Sequence, residues 1–113
     1  IENMRELLAP GGEVIASIPN VAHISTFYGL LSGCWTYEDM GILDRTHFRF
    51  FTKKEIVKLF QEAQFDIQEM RYITVPCPEI GKRLREELLS LQTISVDAED
   101  LDAYQWLVRA QRV

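Results

Sequence analysis

The chain has 113 residues, enough for about one small domain built around a single hydrophobic core. Hydrophobic residues make up 47% and charged residues 26%, a balance that excludes a disordered or fibrous chain. Twelve basic side chains against seventeen acidic ones leave a net charge of −5, which repels phosphate and gives no electrostatic footprint for nucleic acid or an anionic membrane.

No apolar run approaches the ~18 residues needed to cross a bilayer, and no basic start followed by an apolar core signals export. Cys34 and Cys77 stand far apart, with no second Cys or His at zinc spacing. A reducing cytoplasm fits this usage best. The pattern begins already in helical rhythm with no capping residue ahead of it, so it reads as the later part of a longer chain.

In chain order, Met4, Leu7 and Leu8 fall on one helical face, and Pro10-Gly11-Gly12 ends that helix near Ala9. Val14, Ile15, Ala16 and Ile18 then predict a buried strand over residues 13–18, apolar on both faces and therefore covered by helices on each side. Val21, Ile24, Phe27, Tyr28 and Leu31 recur at helical spacing, with Asn20 as a candidate cap. A loop from Gly33 to Gly41 carries Trp35 and Tyr37, and "GILDRTHFRFFT" follows with Asp44, Arg45, His47 and Arg49 close together.

Thr52 and Glu55 form a T-x-x-E capping box in front of a helix whose apolar stripe is Ile56, Leu59, Phe60 and Ala63. "FDIQEMRYITV" alternates imperfectly, Phe65, Ile67, Glu69, Arg71 and Ile73 against Asp66, Gln68, Met70, Tyr72 and Thr74, as an outer strand does. Ile80, Leu84, Leu88 and Leu91 line one face of a predicted helix over 79–91. An acidic loop, "SVDAEDLD", precedes an inner strand centred on Trp106, Leu107 and Val108.

The stretches "LLAPGGEVIASIPN" and "GILDRTHFRFFTKKEIVKLFQEAQF" resemble the C-terminal half of a class I, Rossmann-like S-adenosylmethionine-dependent methyltransferase, over roughly residues 3–74. In that family a leucine-rich helix ends in Pro-Gly-Gly before the fifth strand, and a His/Arg/Phe-Thr segment leads into a helix ending at a Gly-Phe pair. Leu7, Leu8, Pro10, Gly11, Gly12, His47, Phe51, Thr52 and Phe65 match, while Gln64 stands in place of the glycine. Its left-handed cap is then expected to be lost, at about 1 kcal/mol.

The resemblance implies an α/β, partial Rossmann-like methyltransferase fold. Its three-stranded mixed sheet would have the order five-seven-six, with the last strand antiparallel to both neighbours and helices flanking. It also implies S-adenosylmethionine as cofactor of the longer parent and a small-molecule acceptor. The glycine-rich strand-to-helix loop and the acidic residue about twenty positions beyond it are absent, so no cofactor-binding residue is expected in this chain, which alone would be inactive.

His47 is the candidate general base for the acceptor, with Asp44 to orient it; the other reading is a structural one, in which the extended segment has it bonding neighbouring backbone. Asp44 and Arg45 are candidate substrate contacts or a local ion pair, and Asn20 a substrate contact or a cap. Trp35 and Tyr37 are candidate walls of a substrate pocket, or packing aromatics. His23 and His47 lie twenty-four residues apart without a third ligand at fixed spacing, so no metal site is expected. The free edge of strand 13–18, or helix 79–91, predicts a homodimer. A non-catalytic association module derived from the same fold is the alternative.

Overall fold

The computed structural model describes residues 6–35, 42 and 50–113. Glu6 and Leu7 are the described end of the first predicted helix, and the turn at Pro10-Gly11 lets the chain enter the sheet, with Gly11 at φ +86°. The strands are β1 (Glu13–Pro19), β2 (Phe65–Ile73) and β3 (Gln105–Arg112). Among the described residues the helices are α1 (Ile24–Leu31), α2 (Lys53–Glu62), α3 (Glu79–Leu89) and α4 (Ala98–Asp102). None of them is long and apolar enough to cross a membrane.

Thr52 caps α2 as predicted, its Oγ1 accepting from the Glu55 N–H at 3.4 Å. Asp97 caps α4 in the same way at 3.0 Å, so the stretch expected to be an acidic loop contains a short helix. Its carboxylates at Glu99 and Asp100 sit in the first turn, where the helix dipole favours negative charge.

The three strands form one open sheet of order β1-β3-β2. Both pairings are antiparallel, Val14 facing Ala110 on one side of β3 and Met70 facing Val108 on the other. The fold is therefore α/β with the expected strand order and an antiparallel central strand. The expectation of a mixed sheet is corrected, because β1 and β2 run parallel to each other but β3 separates them. Among the described residues the one parallel contact is an isolated bridge between Asn20 and Phe51 beyond the end of β1.

Ile56 and Phe60 of α2 pack against Val14, Phe65, Trp106, Val108 and Ala110, which alternate onto one face of the sheet. Burial of Trp106, Phe60 and Ile56 contributes about 1.5–3 kcal/mol each. Phe60 meets Phe65 edge to face at 5.9 Å, and Tyr72 meets Trp106 likewise at 5.3 Å.

The structure corrects two readings of the strands. β1 is not buried on both faces: Val14 turns to the core while Ile15 is 79% exposed on the opposite face, beside Arg109. The rhythm of β2 changes phase at a β-bulge between Ile67 and Glu69. The extra residue, Gln68, puts Phe65 and Ile67 on the same face as Met70 and Tyr72, which a strict two-residue alternation separates.

The predicted stripe on 79–91 is also less buried than expected. α3 ends at Leu89, and along it only Gly81 is fully covered, while Ile80 is 58% and the following Leu91 45% exposed. The close approach explains the glycine, since a Cβ there would lie 2.6 Å from Cys77 Sγ and 3.3 Å from the Tyr28 ring.

Gln64 takes φ +64°, so the left-handed turn after α2 is kept without its glycine. Its carbonyl accepts from the Val113 N–H at 3.1 Å, which ties this turn to the end of β3. The strain is carried by the side chain's Cβ. Gln64→Gly is expected to raise stability by about 1 kcal/mol, read as a higher urea midpoint with unchanged slope.

Candidate functional site

The carboxyl end of β1 is closed by a buried amide. Asn20 Nδ2 donates to the carbonyls of Asp100 and Ala103, both at 2.7 Å, while its Oδ1 accepts from the Ala22 N–H at 3.1 Å. The Asn20 N–H donates to the Tyr104 carbonyl at 3.0 Å. Both amide hydrogens and the oxygen are committed and the residue is fully buried. Asn20, expected as a helix cap or a substrate contact, is instead a staple from the end of β1 to the α4–β3 junction. Its loss would leave two buried carbonyls unpaired, at about 1–3 kcal/mol each.

The cap of α1 is His23. Its Nδ1 accepts from the Ser25 N–H at 3.2 Å and lies 2.7 Å from Ser25 Oγ. A backbone N–H can only donate, so Nδ1 keeps its lone pair and the neutral ring carries its proton on Nε2. The imidazole is 4% exposed, edge-on to the Tyr104 ring at 5.3 Å. Burial pushes its pKa below the ordinary imidazole value, partly offset by the Asp102 carboxylate. At neutral pH it is an uncharged donor through Nε2, which has no hydrogen-bond partner among the described residues.

Around His23 opens a cleft of about 420 Å³. One wall is α1, through Ser25, Thr26 and Tyr28. The other is the segment after β2, Val75 to Pro78, whose prolines keep it extended into α3. Tyr104, just before β3, contributes to the lining, as do Cys34 and buried Ile42. The cleft therefore lies beyond the carboxyl ends of β1 and β2.

Asp102, the charge nearest in effect to His23, is held by Arg85 in a two-bond ion pair at 2.6 and 3.0 Å, which joins α3 to α4. Among the described lining residues none is Asp, Glu, Lys or Arg. What these described residues offer is hydrogen bonding and ring surface.

Of the residues picked from the sequence, Asn20 is buried and is not among the residues that line the cleft, and Trp35 packs edge-on to Phe50 at 5.4 Å. Tyr37, Asp44, Arg45 and His47 lie outside the described residues. The connector that carries them reaches the cleft at Ile42, and Phe51, near its end, bridges to Asn20. The sequence suggests His23 only as a candidate metal ligand. The signal that marks it is its place four residues past a strand, two before a serine, at the start of a helix. Tyr104 and the 75–78 segment had no local signal. Cys34 and Cys77 are free thiols, and no three His, Cys, Asp or Glu side chains cluster among the described residues.

Protonation of His23 would set a ring N–H against the Ser25 N–H and charge a buried ring. With its folded-state pKa lowered, the stability it contributes is present above the ordinary imidazole pKa and lost as pH falls below it. The Asp100 carboxyl, raised chiefly by burial, acts with the opposite sign and only in the carboxylate range. The thermal midpoint is expected to fall between about pH 7 and pH 5, and to fall less in His23→Asn, which keeps a capping oxygen.

A comparison with family models finds no match to this chain, and no curated protein matches it.

Proposed function

We propose that the chain is the acceptor-side, C-terminal part of a class I, Rossmann-like S-adenosylmethionine-dependent methyltransferase acting on a small molecule in the cytoplasm. The observation that supports this most is the placement of the cleft. It lies past the carboxyl ends of two parallel strands, β1 and β2, with antiparallel β3 between them. Open α/β sheets receive their ligands outside the carboxyl ends of their strands. The strand order agrees with the five-seven-six arrangement that the sequence resemblance implies.

The described residues do not fit the nucleoside of S-adenosylmethionine. No strand among them runs through a glycine-rich turn into a helix, and none of the described residues that line the cleft is a carboxylate that could accept from ribose hydroxyls. This part of the enzyme would receive the acceptor and exclude water, and positioning would supply most of the rate. In this reading His47 is the general base, Asp44 orients it, and Arg45, Tyr37 and Trp35 border the acceptor.

Calorimetry tests the division of labour. The 113-residue chain is expected to show no micromolar affinity for S-adenosylmethionine, whereas a longer chain including the encoded upstream sequence is expected to bind it and to transfer its methyl group. Micromolar binding by the short chain, or none by the longer one, would overturn the proposal.

A second role, association with another copy, is favoured by the exposure of Ile15 on edge strand β1 and of Ile80 on α3. Light scattering at micromolar concentration is expected to give a dimer that Ile15→Lys weakens. A strict monomer would exclude it.

A further inference from the structure

We propose that Cys34 and Cys77 form a site of reversible thiol modification, at which a small disulfide such as oxidised glutathione converts the pair to a bridge across the cleft. The inference deepens the acceptor-site reading by naming its regulation. It rests on that reading only for its consequence, that a bridged cleft excludes the acceptor.

The first support is placement. The chain has two cysteines, forty-three positions apart, and both line the same cleft. Both are free thiols, Cys34 exposed and Cys77 half-buried, so a solute can reach them. Each is tied to the same turn of α1. The Cys34 N–H donates to the Gly29 carbonyl at 2.8 Å. Cys77 Sγ lies so close to Gly81 that a Cβ there would stand 2.6 Å from it and 3.3 Å from the Tyr28 ring, so sulfur and ring are neighbours across one glycine. Tyr28 and Gly29 are adjacent in α1, and the fold has therefore brought two distant thiols to one short stretch of helix.

The second support is reach. A disulfide needs its two Cα atoms within about 7 Å of each other. The Cys34 side has room to move: it follows Gly33, at φ +87°, where an added Cβ would meet nothing within 4 Å. An unfolded chain must close a long loop to bring these thiols together, whereas the fold holds both at α1, which favours one bridge over two separate adducts. In the reaction one cysteine thiolate attacks the glutathione disulfide, forming a mixed disulfide and releasing one glutathione thiolate. The other cysteine thiolate attacks the protein sulfur of that mixed disulfide and releases the second. The two electrons lost by the protein thiols reduce the glutathione disulfide to two glutathione molecules, which take up the two protons. In a reducing cytoplasm such bridges are transient and serve as sensors.

Equilibration of the 113-residue chain with mixtures of reduced and oxidised glutathione checks this, read by mass and by free-thiol count. The folded chain is expected to lose both thiols, to carry no glutathione and to form no disulfide-linked dimer. The effective concentration of one thiol toward the other is expected to be at least about tenfold higher than in the same chain in concentrated urea. Phenylarsine oxide, whose arsenic takes two neighbouring thiols, is expected to bind the reduced chain at least about tenfold more tightly than Cys34→Ser or Cys77→Ser. Two bound glutathiones, a bridge between chains, an effective concentration no higher than in urea, or equal arsenical binding by the variants would overturn the proposal. In the longer chain oxidation is expected to abolish methyl transfer and dithiothreitol to restore it; undiminished transfer by the bridged protein would refute the closing of the site. The thiol measurements do not depend on methyl transfer, so the two proposals fail separately.

Discussion

The arrangement at the head of the sheet depends on the Asn20 carboxamide. Two of its three hydrogen bonds join the end of β1 to the carbonyls of Asp100 and Ala103, 80 and 83 residues away, where α4 closes and leads into β3, and the third is accepted from the nearby Ala22 N–H. A buried amide in this position is satisfied only when all three partners are in place, so it selects one register of β1 on β3. That register sets Val14, Ala16 and Ile18 opposite Ala110, Val108 and Trp106, and the core follows from it.

Placing β3 between β1 and β2 also positions the cleft. Because both outer strands run antiparallel to β3, their carboxyl ends emerge at the same end of the sheet, where the chain enters β3. His23 follows one of these ends, the Val75–Pro78 segment follows the other, and Tyr104 stands between them. The bidentate Arg85–Asp102 pair and the close packing of Gly81 on Tyr28 hold α3 against α4 and α1, so the walls of the cleft are supported from behind. Polar contacts thus define the site while apolar contacts define the body of the domain.

Much of the fold was legible in the residues. The Thr52 cap, the Ile56/Phe60 stripe and the inner strand at Trp106–Val108 are local patterns, and each is found as read. The failures have physical causes. A bulge at Gln68 is one residue of slack that alternation does not encode, and Ile15 is apolar on a face that no described element covers. Gln64 shows the reverse case, in which tertiary contact with Val113 keeps a left-handed turn that the side chain itself disfavours. The site was less legible: His23 carried a weak local signal, while Tyr104 and the segment after β2 carried none.

Apart from α4, read as a loop, the sequence by itself determined the described elements, their order and the acidic, apolar-cored character of the domain, because helix periodicity, capping and strand composition act over a few neighbouring residues. Only the tertiary structure decided that Asn20 is a staple, that His23 holds its proton on Nε2, and that Tyr104 faces it. Those facts depend on which distant backbone groups fall within hydrogen-bonding reach and on how much water is excluded, and both arise only when β3 slots between strands that precede it by some thirty to ninety residues.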